Sequence, residues 1–207
     1  LQRHSDGFEG ARQTTTFGLW ASVTVKDEEG KRPQDWHQTV SRTLAGLEAP
    51  EVVGRVAAER ALAFTGAHPL ATGRSTMLVE NRAAGNLIGR LLGAIDGGEI
   101  QQERSFLASH LGKRIGSERL TIIDDPLVPG GLASRTFDGE GIALKRRPIV
   151  TAGVLDTFLF DTYYAKKMGV KPNGGDLSNV IVTPGDTGLD GLTTQVGEGL
   201  LVTGFLG

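Results

Sequence analysis

The chain contains no cysteine. Disulfides are excluded, and so are thiolate metal ligands and Cys–His catalysis. Histidine is scarce as well: His4, His37, His68 and His110 are the whole set, and no two are spaced as a short metal-ligand pair. The motifs HExxH, G-x-S-x-G, P-loop and G-x-G-x-x-G are all missing. No apolar run approaches the ~18 residues of a membrane span. Neither sign of charge dominates: 22 Lys and Arg stand against 24 Asp and Glu, a net charge of -2 spread along the chain. That balance argues against a dedicated nucleic-acid binder. No secretory signal is visible, and the missing thiols fit a reducing compartment. An initiator Met is also lacking, and the chain closes on a strand-like run from Gly199 to Gly207. A piece of a longer protein is expected.

What is present centres on Arg74 to Gly98. Ser75 to Val79 is a short apolar run suited to a covered strand. Asn81 is placed to cap a following helix. Ala84, Leu87, Ile88, Leu91, Leu92 and Ile95 then recur at steps of three and four, which is one apolar face of a helix. Gly97-Gly98 is expected to stop it.

The remaining chain supplies partners for this unit. Thr16 to Val25 alternates as a half-buried strand, and Glu29-Gly30 suits a hairpin returning through Asp35 to Val40. Pro50 to about Phe64 reads as a helix with Val53, Val56, Ala57, Ala61 and Phe64 inside and Glu51 paired with Arg55. Gly66 ends it, and a subdivision of the chain is expected near 66–73. Phe106 to Leu111 suggests a short helix, Leu120 to Ile123 a strand, and Asp138-Gly139 a hairpin turn. Gly153 to Met168 reads as a third main helix ended by Gly169. Val180 to Thr183 and Leu200 to Phe205 are strands around a connector in which Leu189 and Leu192 turn inward. The fold class is α+β: antiparallel or mixed sheet with about three packed helices.

Candidate chemistry is sparse. Trp36 and His37 could stack on a ligand, but strand packing accounts for both. Asp124-Asp125 invites a cation, yet neighbours on a strand point to opposite faces, so turn capping is favoured. Lys145-Arg146-Arg147 could meet a phosphate or guard a strand edge. Lys171 to Asp176 could cradle an anion through backbone donors. The residues by themselves give no catalytic, cofactor-binding or metal-binding set.

Five segments taken in order carry a resemblance: Ser5 to Gly10 (SDGFEG), Val53 to Leu62 (VGRVAAERAL), Leu120 to Pro126 (LTIIDDP), Asp138 to Gly141 (DGEG) and Ser178 to Gly185 (SNVIVTPG). Together they resemble the TldD/PmbA family across nearly the whole chain. The resemblance implies that 1–207 is the middle and part of the C-terminal region of such a protein. The family's members include modulators of DNA gyrase and paired subunits of a cytosolic metallopeptidase. Its catalytic, TldD kind carries a zinc motif, HExxxH, on the helix similar to Asn81–Gly98. Carried across, its first His falls on Gly93, its Glu on Ala94 and its second His on Gly98. None can bind zinc or activate water. The chain is therefore similar to the PmbA, or TldE, kind. That similarity implies a cytoplasmic, non-catalytic subunit, zinc only in a TldD-type partner, and peptide or unfolded protein as substrate. Neither membrane nor nucleic acid is an expected partner. Self-association, an independent peptidase completed by regions outside this chain, and a gyrase-related binding protein remain alternatives.

Overall fold

The computed structural model describes residues 1–205. The elements in chain order are β1 (Gln2–Arg3), β2 (Glu9–Gly10), β3 (Phe17–Thr24), β4 (Gln34–Ser41), α1 (Pro50–Leu62), β5 (Met77–Val79), α2 (Asn81–Gly93), α3 (Gly97–Gln101), β6 (Ile122–Asp125), β7 (Arg147–Thr151), β8 (Val154–Leu155), α4 (Thr162–Met168), β9 (Asn179–Val182), α5 (Leu189–Val196) and β10 (Leu200–Val202). The class is α+β with antiparallel and parallel pairing, as expected. The chain divides into two compact units. One is Arg12–Thr72 with Gly130–Leu132, and the other holds Leu1–Ala11, Gly73–Pro129 and the chain from Ala133 onward.

The smaller unit is a hairpin with a helix on it. Strands β3 and β4 pair antiparallel from Phe17↔Ser41 to Thr24↔Gln34. Gly30 turns the chain between them at φ +81°, and Asp27 Oδ1 accepts from the Lys31 N–H at 2.7 Å. Alternation sends Leu19, Ala21 and Val23 to one face and leaves Trp20 on the other, 71% exposed. Helix α1 packs on both strands and buries Val53, Ala57 and Ala61, one stripe at four-residue steps. Arg55 pairs with Glu59 at 3.0 Å, one turn along from the Glu51 partner expected. The Arg42 guanidinium donates to the carbonyls of Thr15, Gly131 and Leu132, which ties residues 130–132 to this unit.

The larger unit is built on an antiparallel sheet in the order β8-β7-β6-β9. Its core joins Leu92, Ile95, Ile100, Leu107, Ile122, Ile149, Val150, Leu155 and the run Phe158, Leu159 and Phe160. Full burial of such a side chain contributes roughly 1.5–3 kcal/mol. Beside the sheet, β5 pairs in parallel with β10, Met77↔Leu200 to Val79↔Val202. Met77 is half exposed there, so this strand is less covered than its apolar run predicts.

Three expected elements differ. Gly153 to Met168 is not one helix: β8 follows a two-residue hairpin at Ala152 and Gly153, and only Thr162–Met168 is helical. Both turn residues have positive φ, +47° and +81°, the signature of a tight hairpin whose twist matches its strands. A Cβ at Gly153 would also strike the backbone carbonyls of Gly116 and Ser117. The β-branched run Ile149-Val150-Thr151 ahead of the glycine carried that signal. Phe106 to Leu111 forms turns, with Ser105 Oγ accepting from Leu107 N–H at 2.9 Å. Leu189 of α5 is 42% exposed and does not turn inward.

Candidate functional site

The stretch that resembles the zinc helix comprises α2, a break, and α3. Helix α2 turns Ala83 and Leu92 fully inward and Ile88 and Leu91 partly so, while Leu87 is exposed. Its N-cap is Glu80, and Asn81 occupies the first helical position with Oδ1 accepting from the Arg82 N–H. The apolar period continues to Ile95 but the helix ends at Gly93. Tertiary pairing interrupts it: the Ile95 carbonyl accepts from the Leu159 N–H at 2.9 Å, and Asp96 forms a parallel bridge with Leu159. Asp96 then caps α3, its Oδ1 accepting from Gly98 N–H at 2.8 Å and Glu99 N–H at 3.3 Å. Gly97-Gly98 thus starts a helix where the sequence suggested a stop. The spacing Asp96-x-x-Glu99 is that of a capping box and was the readable sign. Glu99 itself pairs with Arg104 at 2.6 Å.

The three positions that the resemblance sets against the zinc motif, Gly93, Ala94 and Gly98, lie on both sides of this break. Gly93 ends α2 and faces open space. Ala94 is 9% exposed and belongs to the core. Gly98 is buried in the first turn of α3. A Cβ there would stand 3.0 Å from Tyr164 Cζ and 3.0 Å from Asp96 Oδ1. At Gly97 it would stand 2.6 Å from Phe160 Cδ1 and 2.7 Å from the Leu159 carbonyl oxygen. None of the three offers a nitrogen, oxygen or sulfur side-chain ligand. Zinc does not fit this donor set.

The other candidates are structural in their contacts. The histidines are not brought together: His4 lies on Phe8 with centroids 5.1 Å apart, His37 Nε2 meets Glu48 at 3.2 Å, and His110 Nδ1 is near Ser109 Oγ. Among the described residues no group of three His, Cys, Asp or Glu could hold a metal ion. The adjacent aspartates separate as strand geometry requires. Asp124 is 2% exposed; it accepts from Arg147 at 3.0 Å and from the amide and hydroxyl of Ser178. Asp125 Oδ1 caps the turn at Leu127 N–H, and its carboxylate meets Arg146 at 3.5 Å. Arg147 also donates to the carbonyls of Asn173, Gly174 and Asp176. The 171–176 loop therefore holds a cation through its oxygens, the reverse of the anion cradle its glycines suggested. On α4, Lys167 Nζ lies over the Tyr163 ring, 4.6 Å from its centroid, and interaction with Tyr163 holds its pKa above the ordinary lysine value. An apolar groove of about 480 Å³ runs along α2 and β9, lined by Ala84, Gly85, Ile88, Gly89, Leu92, Val180 and Val182. Among the described residues no helix is long and apolar enough to cross a membrane.

Residues 72–207 match the family described as the PmbA/TldA metallopeptidase C-terminal domain. The chain is 34% identical over 189 residues to Metalloprotease PmbA of Escherichia coli O157:H7, covering 90% of this chain and 42% of that protein. A Metalloprotease PmbA homolog of Haemophilus influenzae is 33% identical, covering 99% of this chain and 46% of its own length. Among solved structures, a candidate modulator of DNA gyrase from Bacteroides thetaiotaomicron superposes with a TM-score of 0.94 at 39% identity, over 98% of this chain and 46% of that one. TldE from Thermococcus kodakarensis shares the fold, with a TM-score of 0.78 at 22% identity over 93% and 46% of the two chains. The chain thus spans less than half the length of these relatives. With this match to the greater part of its length, the chain belongs to the TldD/PmbA metallopeptidase family.

Proposed function

We propose that this chain is part of a non-catalytic, PmbA/TldE-type subunit of a cytoplasmic peptidase assembly. The zinc chemistry resides in a TldD-type partner, and the substrate is a peptide or an unfolded protein. The resemblance sets the catalytic kind's zinc motif against Gly93, Ala94 and Gly98, which carry no ligand atoms, and the observation that supports the reading is that Leu92, Ala94 and Ile95 pack in the core of this stretch. Chemistry lost with packing retained fits a subunit that supports a partner's site. The relatives' names as metalloproteases favour a second reading, a peptidase whose site is completed by regions outside this chain. Native mass measurement decides first. The full-length protein, purified with a co-expressed TldD-type partner, is expected in a mixed assembly carrying zinc in the partner alone. An assembly without the partner, holding one zinc per chain of this protein, contradicts the proposal and supports the second reading.

A further inference from the structure

We infer that the 93–98 stretch is closed to zinc by packing as well as by its missing ligands, and that the Tyr164 ring, together with the Asp96 carboxylate, closes position 98. The inference rests on the reading of Gly93, Ala94 and Gly98 as the motif's counterparts. The three positions differ in what they can accept. A side chain at Gly93 would extend into open space. A carboxylate at position 94 would enter the core among Leu92, Ile95 and their neighbours, where burying its charge is costly. A side chain at position 98 would begin in contact with the Tyr164 ring, 3.0 Å from Cζ and 3.1 Å from Cε2.

Tyr164 is held where it stands. Its N–H donates to Asp161 Oδ1 at 2.7 Å, which caps α4. The Tyr163 ring lies edge-on to it with centroids 5.0 Å apart, and the Tyr164 hydroxyl accepts from Gln102 Nε2 at 3.4 Å. Directly beside it, Gly97 is pressed against Phe160 and the Leu159 carbonyl. Leu159 cannot retreat without giving up its hydrogen bond to the Ile95 carbonyl. The close approach of α3 to the 159–164 segment therefore requires the small residues at 97 and 98. Of the three motif side chains, those at 94 and 98 overpack this region, while the one at 93 meets open space.

The test is made in the full-length protein. A triple variant, Gly93→His with Ala94→Glu and Gly98→His, is analysed for zinc after dialysis and for melting temperature. No stoichiometric zinc and a lowered melting temperature are expected. If the triple variant does not fold, a pair of simpler comparisons decides. Gly98→His is made alone and together with Tyr164→Ala, and its effect on melting is compared in the two backgrounds. The loss is expected to shrink when the ring is gone, a non-additivity that marks direct contact. One zinc per triple-variant chain at an unchanged melting temperature would overturn the inference. So would an equal cost of Gly98→His with and without the ring. Zinc beside this helix in the unaltered protein would instead overturn the proposed function, so the two failures are distinguishable.

Discussion

At the scale of single residues, burial separates neighbours that the sequence treats alike. Leu91 and Leu92 both fall on the apolar face of α2, yet Leu92 is 7% exposed in the core and Leu91 packs only at its margin. Leu92→Ala should cost about 2–5 kcal/mol, and Leu91→Ala distinctly less, because the cost follows the cavity left behind. Equilibrium denaturation of both variants checks the order; equal costs would misplace the core boundary. The Asp124–Arg147 pair is the second such case, with 3% and 13% of the side chains exposed. Asp124→Asn should cost roughly 3–5 kcal/mol, since it strands a guanidinium that also clamps the 173–176 carbonyls. An unchanged midpoint would count against the clamp.

At the scale of elements, local chemistry was legible where a period or a turn acts alone. The β3–β4 hairpin, α1 and α2 follow from alternation, a helical period and their turn residues. The 153–168 region was legible only in part, because β8 and the segment before α4 take their conformation from pairing and packing rather than from a local period. Phe158 and Phe160 are core residues on extended backbone, 6.3 Å apart and edge-on, and only distant partners reveal that. The break at Asp96 has the same origin: the partner of the Ile95 carbonyl, Leu159, is 64 residues away in sequence, from 95 to 159. No local window contains that partner, although the Asp96-x-x-Glu99 spacing marks the start of α3 locally. The lack of ligand side chains at Gly93, Ala94 and Gly98, by contrast, is read directly from the residues, while their place against the zinc motif is what the resemblance implies. Removing the α3 cap with Asp96→Ala should cost about 0.5–2 kcal/mol. Hydrogen exchange at Gly98 and Glu99 should accelerate with it, since their amides lose their acceptor; unchanged exchange there would contradict the capping role.

At the scale of the whole molecule, the chain belongs to a family of metallopeptidases, and among its described residues no group of three His, Cys, Asp or Glu could hold a metal ion. The end of α2 and the start of α3 are packed into one core. A partner of the same family supplies what is missing in the reading proposed here. Cleavage of an unfolded-protein substrate is the most direct measurement, made with the full-length protein alone, with a TldD-type partner, and with a partner lacking its zinc-motif Glu. Cleavage in the intact mixture, together with its absence in the other two samples, is the predicted result. Equal cleavage by the full-length protein alone would contradict the account.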